Sequence, residues 1–137
     1  MIIVLDTNVL VSGMINPHGT PGRIIDLLSA GAIEVAIDDR IFAEYSNVLE
    51  RPRFKLNFPD FERISILEFI RFNGIHAKTS VVVTDLPDKG DIPFLEIALS
   101  LEVPLVTGNL KHFPKNKIHN CRIISPADFI NHFGGLK

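Results

Sequence analysis

Cysteine occurs once in the chain, at Cys121, and that scarcity removes two kinds of architecture. One thiol cannot close an intramolecular disulfide, and no second cysteine is present to build a zinc cluster with it, so the chain reads as one from a reducing compartment. Cys121 itself reads as a small packing residue. Long apolar runs are missing too. Nothing approaches the roughly 20 consecutive apolar residues that span a bilayer, and the opening Met1–Leu5 is too short, and lacks the basic start, for a secretory signal. Nor is there a large excess of charge of one sign: the net charge is −2, which excludes a general polyanion binder and leaves any nucleic-acid contact to local patches. Internal repeats, low-complexity tracts and interdomain linkers are likewise absent from the sequence. The expectation is a cytoplasmic protein with no membrane attachment.

What is present is average for a globular domain: 137 residues, 46% apolar and 22% charged. A chain of this length buries roughly two-thirds of the surface its unfolded form exposes, so residues 1–137 are expected to form a single domain with one core. Strand-like and helix-like patterns alternate along it, the signature of a parallel sheet covered by helices. Ile2–Leu5 reads as a strand buried on both faces, because it is continuously apolar and β-branched. Thr20 and Pro21 start a helix carrying Ile24, Ile25, Leu27 and Leu28, which Gly31 stops. Ile33–Ile37 alternates as a second strand. Asp38 or Asp39 then caps a helix through about Glu50, whose apolar stripe is Ile41, Phe42, Tyr45, Val48 and Leu49. At ~100° per residue Glu44 falls on the rim of that stripe, not opposite it.

Arg51-Pro52 ends this helix, and another from about Asp60 to Phe72 presents Phe61, Ile64, Leu67 and Ile70 before Gly74. Val81–Val83 reads as a short strand and Asp85–Asp91 as a turn-rich loop. Asp91 opens a helix with Pro93 in its first turn and Phe94, Leu95, Ala98, Leu99 and Leu101 behind it. Val103–Val106 is the next strand and ends in Thr107, Gly108 and Asn109. A loop over Lys111–Lys117 leads to the last strand, Arg122–Ile124. Ser125-Pro126 caps a closing helix to about Phe133, terminated by Gly134 and Gly135.

In an open parallel sheet, functional groups gather outside the carboxyl ends of the strands. Asp6 follows the first strand and Asn109 the fourth. Asp91 starts the helix that leads into the fourth strand, and a helix start shares the rim with the preceding strand's carboxyl end. Glu44 lies about one turn into a helix that begins on the same rim. Each has a plainer reading alone: Asp6 as a turn former, Asp91 as an N-cap, Glu44 as a solvated helix residue. Together, three carboxylates approaching one rim repel, and one or more pKa values must rise unless a cation holds them. Mg²⁺ or Mn²⁺ prefers such oxygen ligands.

These segments resemble the PIN domain family of metal-dependent nucleases. MIIVLDTNVLVSGM is similar to the family's first strand and Asp-Thr-Asn turn, and IFAEYSNVLERPRF to the helix carrying its second acidic position, here Glu44. GDIPFLEIAL resembles the helix start with the third, here Asp91. VPLVTGNLKHFP resembles the strand and loop bearing the fourth, and ISPADFI the terminal strand–helix junction. The likeness runs over nearly the whole chain and is strongest to the branch described as toxins of toxin–antitoxin pairs. It implies a three-layer α/β/α fold with a central parallel sheet of about five strands, a Mg²⁺ or Mn²⁺ site, and cleavage of single-stranded RNA. It further implies a cognate antitoxin partner. Metal binding falls to Asp6, Glu44 and Asp91. Thr7, Asn8, Thr107 and Lys111 orient these groups or the substrate.

One departure stands out: many PIN domains carry Asp at the fourth position, where this chain has Asn109. An amide oxygen still coordinates a cation but brings no formal charge. Three carboxylates neutralise one divalent ion with a unit to spare and fall one short of neutralising two, which favours one firmly held metal and a second recruited by the substrate phosphate. Asp85, Asp88 and Glu96 are further acids nearby. Asp88 reads first as a solvated turn residue and only second as one that reaches the cleft from its loop, and Glu96 lies about 140° around its helix from Asp91, able to approach a metal only through water. Arg51, Arg53 and Lys55 form one basic cluster. Lys111, His112, Lys115 and Lys117 form a second, beside the proposed site, with His112 read first as a turn or surface residue and only second as a proton donor to the leaving group. Phe54, Phe58 and Phe61 could supply an apolar face for a homodimer.

Two other readings compete. A PIN-like module weakened by Asn109 would hold RNA or a protein without cleaving. A phosphotransfer domain of the receiver or dehalogenase type would use Asp6 as a nucleophile, but Asn8 occupies the place where the dehalogenase motif needs a second Asp.

Overall fold

The computed structural model of the protein describes residues 1–134, so Gly135 lies outside the described residues. Five parallel strands form one sheet in the order β3-β2-β1-β4-β5. They are β1 (Ile2–Leu5), β2 (Glu34–Ile37), β3 (Ile75–His76), β4 (Leu105–Val106) and β5 (Ile123–Ile124). Seven α-helices are described: α1 (Thr7–Ile15), α2 (Thr20–Ser29), α3 (Asp39–Leu49), α4 (Pro52–Asn57), α5 (Asp60–Asn73), α6 (Ile92–Leu101) and α7 (Pro126–Gly134). Among the described residues no helix is long and apolar enough to cross a membrane.

The layering follows from the strands. Ile3, Val4, Leu5, Val35, Ala36 and Ile37 are all buried, and because successive strand side chains point to opposite faces, both faces of the sheet are covered. α1, α2 and α7 pack with one another, as do α3, α5 and α6, giving the α/β/α layers expected. β1 is central, paired to β2 through Ile2↔Glu34 and to β4 through Leu5↔Val106. The chain leaves β1 first toward β2 and later toward β4. The carboxyl ends of β1 and β4 therefore flank the switch point at which such sheets open a crevice.

Several boundaries differ from the sequence expectation, each for a local reason. The segment after Asp6 is not a bare turn but helix α1, which buries Val9, Leu10 and Gly13 on one face. Val, Thr, Asn and Gly are weak helix formers, so tertiary packing supplies what propensity does not. Val81–Val83 is not a strand. Its amides are taken by side chains instead: Ser80 N–H donates to Ser100 Oγ (2.8 Å), Val81 N–H to Thr79 Oγ1 (3.2 Å) and Val83 N–H to Glu96 Oε2 (2.8 Å). The edge beside β2 is occupied by Ile75–His76, directly after α5. Pro52 ends α3 but also starts α4, where its missing N–H costs nothing. Gly31 does close α2 in the left-handed region, at φ +78°.

α5 is turned relative to its predicted face. Phe61 and Ile64 are exposed, whereas Arg63 is buried at 2% exposure and reaches Glu50 (3.1 Å), Asp60 and the carbonyls of Leu49 and Phe58 (both 3.4 Å). A guanidinium with five donors serves three segments at once and outcompetes the aromatic for that position. Phe54 is buried and Phe58 half-buried against it, ring centroids 6.1 Å apart, so of the three phenylalanines considered for an apolar face only Phe61 is exposed.

Tyr45 links the layers beside the strand end. Fully buried, it donates its hydroxyl to the Leu5 carbonyl at 2.5 Å, one residue before Asp6 and one after Glu44 in their own segments. Burial, and after it the nearby Asp6 carboxylate, keeps this phenol protonated. Tyr45→Phe is expected to lower stability by about 1–2 kcal/mol with an unchanged urea m-value, the cost of one buried hydrogen bond; a midpoint indistinguishable from that of the parent chain would contradict that role.

Candidate functional site

A cleft of about 490 Å³ opens at the switch point. Asp6, Thr7 and Asn8 enter it from the end of β1, Glu44 from α3, Asp91 from the start of α6, and Asn109 from the loop after β4. A somewhat larger cavity of about 570 Å³ lies elsewhere, walled by Val81, Leu99, Val103 and Cys121, and holds none of these residues. The candidate residues gather in the smaller one.

The plain reading of Asp6 and Asp91 as N-caps can be tested directly. Both stand at N-cap positions, of α1 and α6, yet neither side chain makes a capping hydrogen bond. Asp38, by contrast, accepts the Ile41 N–H at 2.9 Å in the ordinary way. Asp6 Oδ2 instead accepts the Thr107 hydroxyl at 2.7 Å, and that hydroxyl oxygen accepts the Asn109 N–H at 3.0 Å. Thr107, wholly buried, thus fixes the Asp6 carboxylate and the Asn109 backbone with one oxygen. Asn8 Oδ1 accepts the Gly108 N–H at 3.3 Å, tying the start of α1 to the same loop.

The electrostatics are those of crowded acids. Asp6 is 6% exposed and Asp91 8%. Burial pushes Asp6 above the usual carboxylate range, against the pull of the Thr107 hydrogen bond. Burial, reinforced by the Asp6 charge and opposed by His112, carries Asp91 to about 6. Asp91 Oδ2 is buried and faces His112 Nδ1 across a 2.9 Å ion-pair contact. Thr7 Oγ1 is buried without a partner. Two carboxylates raised by burial, with a single histidine against them, are what a divalent cation relieves.

Other residues fall differently from their sequence reading. His112 lines the cleft, its Nε2 3.1 Å from Asn109 Nδ2. Asp88 lines it too, although its Oδ1 also accepts the Gly90 N–H at 2.8 Å as a turn former would. The spacing of Asn109 and His112, three residues apart in a tight 3₁₀ turn, was the available signal for the histidine. Glu96 stays out of the cleft, because Arg40 (2.7 Å) and the Val83 N–H occupy its two oxygens. Lys111 is exposed and is not among the lining residues, and Lys117 pairs with Asp85 at 3.2 Å. The cations at the cleft are Arg51 and Arg53, from the cluster more distant in sequence, placed there by the turn into α4.

A family model described as a PIN domain matches residues 2–111. The chain belongs to the PIN domain family. An uncharacterized protein of Methanocaldococcus jannaschii is 26% identical over 141 aligned positions, covering 96% of this chain and 90% of that protein. Among solved structures, VapBC2 from Rickettsia felis, crystallised with a DNA fragment from its promoter, has a TM-score of 0.61 at 21% identity, covering 91% of this chain and 98% of that one. VapBC-1 from nontypeable Haemophilus influenzae has 0.60 at 16% identity, covering 93% and 99%. At these identities the structures are similar in fold.

The raised Asp91 of this PIN domain carries a pH signature. Without divalent metal, folded Asp91 holds its proton up to about 6, whereas the ordinary value is 3.8. The folded state binds more protons inside that window, so this group's contribution to stability declines as pH rises through it and is lowest above it. The stability of the parent chain minus that of Asp91→Asn, from urea midpoints in chelator, is expected to fall from about pH 4 to about pH 6; a flat difference would place the carboxyl at its ordinary value.

Proposed function

We propose that this PIN domain is a metal-dependent endoribonuclease that cleaves single-stranded RNA, acting in the cytoplasm as the toxin of a toxin–antitoxin pair. The observation that carries the reading is the convergence of Asp6, Glu44, Asp91 and Asn109, from four separate segments, on one cleft edged by Arg51 and Arg53. Asp6, Glu44 and Asp91 hold Mg²⁺ or Mn²⁺, directly or through water, one ion firmly and a second only with substrate. When bound, the cation supplies Lewis acidity: it activates water and offsets charge on the scissile phosphodiester. The protein's own groups position these parts. Thr107 holds the Asp6 carboxylate by its hydroxyl, Asn8 pins the loop that carries Asn109, and Asn109 offers an uncharged polar contact across the cleft. Arg51 and Arg53, which form no ion pair among the described residues, attract the RNA backbone.

The partner side of the proposal rests on the two VapBC structures and on apolar surface. Leu56, Phe61, Ile64 and Phe72, on α4 and α5, are all more than half exposed, and a cognate antitoxin would cover them. A homodimer through the same face is the competing outcome of a mass measurement.

With Mn²⁺ and single-stranded RNA, the purified chain should cleave, and expressed without a partner it should arrest growth. Asp6→Asn, Glu44→Gln and Asp91→Asn should each reduce cleavage by about 10²-fold or more. Activity untouched by Asp6→Asn would sink the nuclease reading, and RNA binding without cleavage would favour the weakened module. Arg51→Ala and Arg53→Ala should weaken RNA binding and lower the slope of log affinity against log salt by ~0.7 each; unchanged slopes would remove these arginines from the substrate path.

A further inference from the structure

Among the described residues, one group of potential metal ligands meets closely, and it is not the all-carboxylate set. Asp88, Asp91 and His112 each bring one ligand atom to within 4.8 Å of the others. Two segments deliver them: the 3₁₀ turn before α6, with Asp88 at its N-cap and Asp91 at its end, and the 3₁₀ turn after Asn109. Asp88 uses Oδ1 on the Gly90 N–H, which leaves its second oxygen for a ligand. Asp91 Oδ2, buried, faces His112 Nδ1 at 2.9 Å. Asn109 stands against the opposite ring nitrogen, Nε2, at 3.1 Å. With the amide nitrogen on Nε2 the ring carries its proton on Nδ1, toward Asp91; a cation held between Nδ1 and Asp91 displaces that proton, and the amide turned by 180° then accepts from an Nε2–H. A ligating histidine is oriented in just this way, by a polar acceptor on its other nitrogen.

We propose that Asp88, Asp91 and His112 form a mixed oxygen–nitrogen site for a divalent transition metal, with Asp91 shared between it and the carboxylates of Asp6 and Glu44. The inference builds on the metal-dependent reading above but concerns a different ligand set and a different selectivity. Mg²⁺ keeps to oxygen and gives up water reluctantly, whereas an imidazole nitrogen favours transition metals. The histidine therefore discriminates against Mg²⁺ at this position. It also gives Asn109 a task that an amide can perform, orienting the ring instead of adding charge.

Mn²⁺ is the probe, added at one equivalent to the full chain and read by pulsed electron paramagnetic resonance. The expected result is a ¹⁴N coupling from a directly bound ring nitrogen, which tenfold excess Mg²⁺ does not remove. His112→Gln should abolish that coupling and weaken Mn²⁺ binding about tenfold or more in titration calorimetry, with Mg²⁺ binding unchanged. Asp88→Asn should weaken Mn²⁺ binding while retaining the nitrogen signal, which guards against misfolding of either variant as the explanation. No nitrogen coupling in the parent chain, or a coupling that survives His112→Gln, overturns the proposal. The two readings fail separately. RNA cleavage lost in Asp6→Asn but insensitive to His112→Gln, with no nitrogen signal, removes this site and leaves the nuclease. A nitrogen signal without any RNA cleavage does the reverse.

Discussion

The carboxylate of Asp6 is carried to the crevice by a strand none of whose last three side chains is exposed, and it arrives almost without water. That placement is unfavourable by itself, since burial penalises the ionised form and Asp91 adds a second negative charge nearby. The surrounding structure limits the penalty without cancelling it. The Thr107 hydroxyl donates to Asp6, and the positive end of α1 lies beside it. What remains is a cleft of incompletely satisfied acceptors in an otherwise well-paired molecule. Such a site attracts cations, because the protein's own groups compensate its charge only in part.

Around that cleft, buried polar side chains set the positions of whole segments. Tyr45 joins α3 to the end of β1, so that Glu44 and Asp6 are referred to a common point. Arg63 gathers the end of α3, the turn after α4 and the start of α5, and in doing so sets the path of the segment bearing Arg51 and Arg53. Glu96 performs the corresponding task on the other side, holding Arg40 of α3 and the extended segment at Val83. Each of these residues resembles a functional candidate by type, being charged or phenolic and buried. The difference lies in their place: their polar atoms are taken up by partners outside the cleft, whereas Asp6 and Asp91 line it.

Much of this was legible before any coordinates. The strand at Ile2–Leu5, the helix ends at Gly31 and Glu50, and the gathering of Asp6, Glu44, Asp91 and Asn109 follow from apolar periodicity and from the rule that parallel sheets open at their carboxyl ends. Three features were not legible. α1 escaped because its residues are poor helix formers and its burial depends on distant contacts. Val81–Val83 has strand composition, but the Val83 amide is taken by Glu96 of the later helix α6 and the Val81 amide by the neighbouring Thr79. Phe61 carried the expected spacing, yet Arg63 took the inward position because three segments offered it acceptors.

The sequence by itself determined the fold class, the order of its elements and the acids at the sheet's carboxyl edge, because those depend on periodicity and on the local chemistry of helix starts. Tertiary structure alone decided which polar groups end up paired. It brought His112 against Asp91, Asp88 into the cleft, Arg51 and Arg53 to its edge, and sent Glu96 and Lys117 to partners elsewhere. Hydrogen bonds and ion pairs form between groups far apart along the chain, and their geometry exists only once the packed layers hold both partners still.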